Sequence, residues 1–370
     1  MRFRTSLSLF LILSIALFAF PALPVFAGDA LAASASSAIL FHPASGAVLF
    51  EKDADRRRPI ASTTKIMTAL TVLAGEDDLN RSFTVPLEST GVEGSSLYLQ
   101  AGETLTVMEL LYGLMLASAN DAATALACAV AGSVPAFAEK MNRMGRELGL
   151  CDSHFANPHG LDDPDHYSTA RDLARLTAAA LENDVFKEIV ATRRYSIAGV
   201  DGGKRYLSNH NKLLSLYPDC IGVKTGFTKK SGRCLVSAAE RDGITLIAVT
   251  LNDPNDWNDH IALFDYGFSI MEKRTVLKKD ELVLECPVVN GDTPTVKVTN
   301  AEEITLTLPS SVSTPKRLVS LPHFLPAPLR QGEIAGYVAY EFNGKVIGES
   351  PLVVAEPIGE ILYKKGLFHR

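Results

Sequence analysis

A serine and a lysine three residues apart offer the clearest chemistry in this sequence. Ser62 and Lys65 follow Pro59, and apolar residues recur at helical spacing from Ile66 to Leu73. This spacing predicts a helix that presents the hydroxyl and the amine on one face. A lysine among apolar side chains can lose its charge and then take the proton of a serine hydroxyl. The pattern also arises by chance in many helices, so it needs partners elsewhere in the chain.

A short polar segment separates two strongly apolar segments. Ser118, Asn120 and Asp121 lie in a short polar turn, and the helix before it is predicted to start at a capping box on Thr106. The helix after the turn is predicted over residues 122–131. Polar side chains at so apolar a junction are candidates for a functional site. The structural alternative is that Asn120 or Asp121 only caps the second helix.

A third motif, Lys224-Thr225-Gly226, lies in an extended run. Two further runs, 234–239 and 244–251, are rich in β-forming residues, so the three segments predict neighbouring strands of an antiparallel sheet. Gly226 would let a ligand lie against the strand, and Lys224 would place a positive charge beside it.

Composition excludes several classes of protein. The 370 residues are 47% hydrophobic, which indicates a globular chain, and the net charge of -6 comes without a long basic block. Nucleic acid is therefore not an expected partner. The five cysteines are sparse, and we expect buried free thiols, although one pair could still join. Neither a metal nor a cofactor is predicted, because the sequence contains no His/Cys cluster and no zinc motif.

The first residues predict export. Two arginines precede an uncharged apolar run over residues 7–20, and small residues follow at Val25-Phe26-Ala27. This pattern indicates a secretory signal peptide over residues 1–27, with cleavage near Ala32 as the alternative. The apolar run is too short for a comfortable membrane span, which disfavours an uncleaved anchor.

The order of elements predicts an α/β (α+β) protein with two domains. A hairpin is expected at residues 38–51, and short β-type runs dominate after residue 275. We predict a mixed domain over residues 28–275, a small all-β domain over 276–356 and a short tail over 357–370. Further helices are predicted over 135–148, 169–183 and 260–271.

Together, the motifs S-x-x-K, S-x-N and K-T-G resemble the set found in penicillin-recognising serine enzymes. From about residue 34 to residue 355 the chain is similar to the low-molecular-mass penicillin-binding proteins, the D-alanyl-D-alanine carboxypeptidases of peptidase family S11. Gly94-Ser95-Ser96 and the loop over residues 157–172 belong to the resemblance. It implies a transpeptidase/β-lactamase-like domain, with a central antiparallel sheet and a helical subdomain, before the all-β domain.

The resemblance implies a reaction in which Ser62 attacks the bond between two terminal D-alanines of a peptidoglycan stem pentapeptide. Lys65 would take the serine proton, Ser118 would relay a proton to the leaving amine, and Asn120 would hold the substrate amide and Lys65. Water would then cleave the acyl-enzyme. β-Lactam antibiotics would enter the same path and remain attached to Ser62.

The resemblance also assigns the substrate-binding strand. Lys224 and Thr225 would bind the terminal carboxylate, and the backbone N–H groups of Ser62 and of Phe227, next to Gly226, would form the oxyanion hole. Two departures bear on substrate affinity. Phe227 replaces the histidine of some relatives, and Thr245 stands where some carry an arginine that helps to hold the carboxylate.

Two alternative functions remain open at this stage. A β-lactamase that deacylates through a loop glutamate would show E-x-x-L-N between the second and third motifs, and the sequence contains none. A non-catalytic cell-wall-binding protein would tolerate the loss of Ser62 or Lys65, and both are present. The loop histidines His159 and His166 are expected to form hydrogen bonds rather than to act as catalysts.

The expected location is outside the cytoplasm, in the cell wall or on the outer face of the cytoplasmic membrane. The tail carries several apolar and basic residues, but Gly359 and Gly366 interrupt any amphipathic helix. Peripheral membrane contact through this tail is therefore a weak expectation.

Overall fold

A computed structural model describes residues 33–313 and 315–361, which belong to one compact unit. The predicted signal peptide lies outside the described residues, as does most of the predicted tail. In the described part of the chain, no single helix is long and apolar enough to cross a membrane. The helices Asn120–Ala131 and Val134–Glu147 reach that length and apolar character only when taken together, and they are bent by 83° relative to each other.

The helices and strands are numbered along the chain. The helices are α1 (Lys65–Gly75), α2 (Val107–Leu116), α3 (Asn120–Ala131), α4 (Val134–Glu147), α5 (Ala170–Ala180), α6 (Asp184–Ala191), α7 (Leu213–Leu216) and α8 (Asp256–Ile270). The strands are β1 (Ser37–His42), β2 (Ala47–Lys52), β3 (Ser82–Thr84), β4 (Thr104–Thr106), β5 (Arg194–Ala198), β6 (Lys204–Ser208), β7 (Cys220–Thr228), β8 (Gly232–Arg241), β9 (Ile244–Leu251), β10 (Met271–Leu277), β11 (Val283–Val289), β12 (Thr295–Asn300), β13 (Ile304–Pro309), β14 (Lys316–Ser320), β15 (Leu325–Pro326), β16 (Ile334–Phe342) and β17 (Lys345–Val354).

A five-stranded antiparallel sheet forms the centre of the first domain, in the order β2-β1-β9-β8-β7. Helix α8 packs on one face and α5 on the other. Strands β8 and β9 are therefore covered on both faces, which explains their nearly continuous buried runs. Strand β7 is an edge strand, so its backbone can approach another segment of the chain or a ligand.

The helical subdomain packs around α1, which contacts α2, α3, α4 and α5. The predicted capping box is confirmed at the start of α2, where Thr106 and Glu109 bond to each other's backbone. The helix predicted over 169–183 ends earlier, at Ala180. Asn183 then caps α6 by accepting a hydrogen bond from the Phe186 N–H.

From β10 onward the described chain is all strands and connecting segments, as predicted. A six-stranded sheet has the order β14-β16-β17-β12-β11-β15, and β10 pairs with β13. Two separate apolar clusters fill this part of the chain, one around Leu308 and Val338 and the other around Val296 and Val298. The second cluster includes the buried thiol of Cys286.

The cysteines are all free thiols, as favoured from the sequence. The prediction of burial is correct for Cys234 and Cys286 and wrong for Cys151, which is exposed just after α4. Cys128 and Cys220 are half-buried. Cys151 follows a glycine turn at the surface, where the chain has left the apolar face of α4.

Candidate active site

Ser62 lies in a tight 3-10 turn, Ala61–Thr64, directly before α1. The sequence predicted a single α-helix through Ser62 and Lys65, and this prediction was wrong. Ala61 has a left-handed backbone with φ of 47°, which an α-helix cannot include, so the regular helix begins only at Lys65. Because side chains three residues apart eclipse in a 3-10 turn, Ser62 and Lys65 still face each other.

The amine of Lys65 contacts three oxygen atoms in a completely buried position. Its Nζ lies 2.7 Å from Asn120 Oδ1, 2.7 Å from the His159 carbonyl oxygen and 3.0 Å from Ser62 Oγ. The first two oxygens can only accept hydrogen bonds. In its neutral form the amine has two N–H groups and one lone pair, so these two acceptors can take the N–H groups and leave the lone pair for the serine hydroxyl.

The surroundings of Lys65 favour this neutral form. Burial lowers the pKa of Lys65 well below 10.5, and the positive charge of Lys224 lowers it further, while the Asp121 carboxylate opposes both effects. The same cause acts on Lys224, whose pKa burial lowers to about 7. The charged form of Lys65 is thus disfavoured both by burial and by a second buried lysine.

Asn120 is the first residue of α3 and does not cap it. Ala119 occupies the cap position, and the Asn120 side chain instead bonds to Lys65 and donates to the Glu93 carbonyl oxygen at 2.5 Å. The capping alternative is therefore wrong for Asn120. Ser118 is buried in the turn before α3 with a left-handed φ of 58°. Such backbone strain costs roughly 1–3 kcal/mol and is concentrated at functional sites.

Asp121 holds the loop over residues 96–99 beside the site through hydrogen bonds. Its buried carboxylate accepts hydrogen bonds from Ser96 Oγ at 2.6 Å, from the Leu97 N–H at 3.0 Å and from the Leu99 N–H at 3.1 Å. The Asn120 N–H donates to the Ser95 carbonyl oxygen at 2.7 Å. The segment after Gly94 is thereby held against the start of α3, and Ser95 lines the cleft.

Strand β7 approaches the serine turn at Gly226. A Cβ added to Gly226 would lie 3.0 Å from the Ser62 backbone nitrogen and 3.1 Å from the Thr63 nitrogen. Only a glycine allows this closeness without displacement of the turn. One residue earlier along β7, Thr225 lines the cleft, and the buried Lys224 donates from Nζ to the Thr225 carbonyl oxygen at 3.0 Å.

The loop over residues 157–172 closes the site from the other side. Gly160 has a φ of 88°, and a Cβ there would overlap the Ala61 carbonyl oxygen, so the loop lies directly against the serine turn. Thr64 donates to the Ala61 carbonyl oxygen and lies 2.7 Å from His166 Nε2, which therefore acts as the donor to Thr64 Oγ1. Burial lowers the pKa of His166 to about 4. The prediction of a hydrogen-bonding role for this histidine is confirmed.

These elements surround a cleft of about 550 Å³. Its lining includes the predicted residues Ser62, Ser118, Thr225, Gly226 and Phe227, whose ring is exposed. Residues that the sequence analysis did not single out also line it, namely Arg233, Asp256 and Trp257. The register of the β7–β8 hairpin could have identified Arg233 from the sequence. A short turn after Thr228 places Arg233 opposite Phe227, at the cleft.

Thr245 plays no part in this cleft. It pairs with Glu240 at one end of the β8–β9 ladder, whereas Cys234, which lines the cleft, pairs with Leu251 at the other end. The sequence analysis placed Thr245 at a carboxylate-binding position, and this placement was therefore wrong. A strand of eight residues spans about 25 Å, so its two ends cannot serve one small site.

The arrangement fits acyl transfer through a serine nucleophile with a lysine base. Among the described residues, no group of three or more His, Cys, Asp or Glu side chains could hold a metal ion. Solved structures with this architecture place the chain among the penicillin-recognising serine enzymes, which is the class that the fold and the site define.

The chain belongs to the D-alanyl-D-alanine carboxypeptidase family, a family of serine hydrolases, whose model matches residues 25–255. A second model, for the C-terminal domain of penicillin-binding protein 5, matches residues 272–360. The sequence is 31% identical over 335 residues to D-alanyl-D-alanine carboxypeptidase DacF of Bacillus subtilis, covering 88% of this chain and 86% of the relative. It is 35% identical to DacC of Escherichia coli over 348 residues, covering 90% and 86%.

The structural neighbours agree with the family assignment. Penicillin binding protein 5 from Haemophilus influenzae matches with a TM-score of 0.69 and 30% identity, over 89% of this chain and 98% of that protein. The Streptomyces K15 DD-transpeptidase matches with a TM-score of 0.62 and 35% identity, over 65% and 98%. The predicted fold class and family are thus confirmed.

Proposed function

We propose that this enzyme removes the terminal D-alanine from peptidoglycan stem pentapeptides through an acyl-enzyme on Ser62. The observation that carries the proposal is the buried Lys65 amine, which lies 3.0 Å from Ser62 Oγ and 2.7 Å from two oxygen atoms that can only accept hydrogen bonds. A lysine held in this way is a base for the serine proton before any substrate arrives.

In the acylation step, Ser62 Oγ attacks the carbonyl carbon of the penultimate D-alanine while Lys65 takes the hydroxyl proton. The backbone N–H groups of Ser62 and Phe227 stabilise the oxyanion, and the close approach of Gly226 to the Ser62 nitrogen supports this placement. The peptide C–N bond then breaks. Ser118, buried in the cleft wall, passes a proton to the leaving amine, and D-alanine departs.

Substrate binding is assigned to β7 and to Asn120. Thr225 and the Lys224 amine take the terminal carboxylate, and Asn120 holds the amide of the substrate while it positions Lys65. In the second step, water attacks the acyl-enzyme with Lys65 again as base, which frees the tetrapeptide and restores Ser62. A β-lactam that acylates Ser62 keeps its leaving group attached, so deacylation is slow.

We also propose a location and a division of the chain. A signal peptide over residues 1–27 directs the enzyme out of the cytoplasm, to the cell wall or the outer face of the membrane, where its peptide substrate is found. Residues 28–275 form the catalytic domain and 276–356 the all-β domain. The tail over 357–370 makes at most a weak contact with the membrane surface.

The test is mass spectrometry of the purified chain from Gly28 onward, with and without penicillin. We expect a stable adduct of one penicillin on wild-type protein and none on Ser62→Ala, whereas Ser269→Ala, an exposed serine at the end of α8, keeps the adduct. Release of D-alanine from a synthetic pentapeptide, measured on the same samples, then establishes the reaction.

The alternative functions give different results. Intact penicillin without an adduct, and no D-alanine released, would indicate a non-catalytic wall-binding protein. Penicillin consumed without an adduct would indicate a β-lactamase. Either result would remove the carboxypeptidase assignment.

A further inference from the structure

The first described residues, Ala33 and Ser34, lie against a buried pair of carboxylates. The Ser34 N–H donates to Asp259 Oδ2 at 2.5 Å, and Ser34 Oγ lies 2.6 Å from Asp253 Oδ1 and 2.9 Å from Asp259 Oδ2. Ala33 is itself buried, and its carbonyl oxygen accepts a hydrogen bond from Lys52 Nζ at 2.9 Å. Both residues are thereby tied to the folded domain.

These two carboxylates have no counter-charge within the described residues. Neither Asp253 nor Asp259 forms an ion pair with a lysine, an arginine or a histidine in that part of the chain. The ring of His260 bonds to Ser237 and Thr250, and burial lowers its pKa to about 3, so it adds no positive charge. Buried carboxylates are ordinarily paired, so a cation is missing here.

One oxygen atom of Asp253 is left over. Asp253 is completely buried, and its Oδ1 accepts from Ser34 Oγ and, at 3.0 Å, from the Asn255 N–H. Oδ2 makes no hydrogen bond to any described residue. Burial raises the pKa of Asp253 and the charge of Asp259 adds to the rise, while the Thr250 hydroxyl lowers it without reaching Oδ2 in hydrogen-bond geometry. The turn before α8 thus explains Oδ1, whereas Oδ2 still needs a donor.

The sequence offers a cut that would create such a donor. Ala30-Leu31-Ala32 matches the A-x-A pattern that precedes the cleavage site of a signal peptide, and Val25-Phe26-Ala27 is similar. A cut after Ala32 makes Ala33 the first residue and turns its amide nitrogen into an α-ammonium group. This ammonium carries a full positive charge and three N–H donors, whereas the same nitrogen in a longer chain is a neutral amide with one.

The α-ammonium group of Ala33 would lie within reach of both carboxylates. Three covalent bonds separate the Ala33 and Ser34 nitrogens, so the two atoms are within about 4 Å of each other. The Ser34 nitrogen is 2.5 Å from Asp259 Oδ2, which places the ammonium within about 6–7 Å of that oxygen. With no residue in front of it, rotation about the Cα–C bond of Ala33 can bring the charge closer. An opposite charge at about 4–6 Å already favours an ionised carboxyl.

We propose that the mature chain begins at Ala33 and that its α-ammonium group pairs with the carboxylates of Asp253 and Asp259. A peptidase of the export machinery adds water across the Ala32–Ala33 peptide bond. The water oxygen stays with Ala32 as part of a carboxylate, and both hydrogens pass to the Ala33 nitrogen. The product is the same whether one cut follows Ala32 or a first cut after Ala27 precedes the removal of five residues. The inference rests on the proposed export of the chain and is independent of the proposed acyl transfer.

The ion pair would support one wall of the catalytic cleft. Asp253 and Asp259 flank Asp256 and Trp257, which line the cleft, and the Asp253 N–H donates to the Arg233 carbonyl oxygen at 2.9 Å. A positive charge at the start of the chain therefore stabilises the connection between β9 and α8. Removal of the leader completes this wall.

The first test is the intact mass of the exported protein. The full chain, residues 1–370, is expressed in a bacterium that exports it, and the protein found outside the cytoplasm is purified. We expect the mass of residues 33–370. A start at Gly28, or at any residue other than Ala33, overturns the inference while the proposed export stands. A protein that keeps Met1 and stays in the cytoplasm overturns the proposed export as well.

The second test measures the ion pair through the thermal unfolding of two chains, one that begins at Ala33 and one that begins at Gly28. We expect the first to melt about 2–6 °C higher, the effect of a charge-assisted hydrogen bond in a chain of this size. Asp253→Asn should remove the difference, and Asp259→Asn should reduce it, because the amide carries no charge. Each comparison is made between the two starts within one variant, so a general loss of stability cancels.

A matched control lies on the same helix as Asp259. Asp265 is exposed on α8 and accepts a hydrogen bond from the Tyr217 hydroxyl at 2.8 Å, which an asparagine can also accept. Asp265→Asn should therefore keep the full difference between the two starts. Equal melting temperatures for the two starts in the wild type, or a difference that persists in both Asp253→Asn and Asp259→Asn, would overturn the ion pair.

Discussion

Replacement of Gly226 by alanine tests whether the approach of β7 to the serine turn sets the rate of acylation. The new Cβ would lie 3.0 Å from the Ser62 nitrogen, 3.1 Å from the Ile60 carbonyl oxygen and 3.1 Å from the Thr63 nitrogen. All three neighbours are backbone atoms, so a rotamer change cannot relieve the contact. The turn and the strand must therefore separate by a few tenths of an ångström.

The size of the effect follows from this displacement. A misplacement of about 1 Å at reacting groups can cost about 100-fold in rate, so roughly a third of an ångström corresponds to about 5-fold. The overpacking should also lower the free energy of unfolding by about 1–3 kcal/mol. Thermal and urea unfolding measure the second effect, and the time course of penicillin acylation measures the first. A folded Gly226→Ala enzyme with the wild-type acylation rate would refute the argument that this contact positions Ser62.

Three further results are expected. Lys65→Met should slow acylation of Ser62 by about 100- to 10,000-fold, because the serine loses its base, and a change of less than about 10-fold in the mass-spectrometric assay would point to another base. The free energy of unfolding should decrease as the pH falls from about 6.5 to about 4, because burial lowers the pKa of His166 to about 4 and that of His260 to about 3, so the unfolded chain binds more protons in this range. Urea unfolding at several pH values measures this dependence. The pH dependence should be weaker in His260→Gln, and an equal slope in that variant would contradict a lowered pKa of His260 in the folded protein. Gly145→Ala should stabilise the protein by about 0.5–1 kcal/mol, since the new Cβ meets only side chains at 3.8–3.9 Å inside α4, and a lower melting temperature would show that the helix cannot accommodate the added methyl group.

Local signals in the sequence were sufficient for most of the elements. The capping box at Thr106, the proline near the start of α4 and the β-rich runs of β7, β8 and β9 act over a few residues, so the chain reveals them directly. The order of the three motifs then indicated the fold class and the family. These features depend on residue type and spacing, which are present before the chain folds.

The details of the site depended on contacts between distant segments. The chain has a left-handed Ala61 and a 3-10 turn where a regular helix was predicted, and the Gly160 loop, from a distant part of the sequence, packs directly against the Ala61 carbonyl oxygen. The His159 and Glu93 carbonyl oxygens that hold Lys65 and Asn120 carry no signal in their side chains, because any residue has a carbonyl group.

The sequence by itself determined which chemistry is available: a serine, a lysine and a glycine-bearing strand in the order that family S11 uses. Only the tertiary structure decided the environment of that lysine, since burial and the neighbouring Lys224, which is distant along the chain, lower its pKa. It also decided that Arg233, and not residue 245, borders the cleft. Strand register and helix packing determine which side chains share a face, and both are properties of the folded chain.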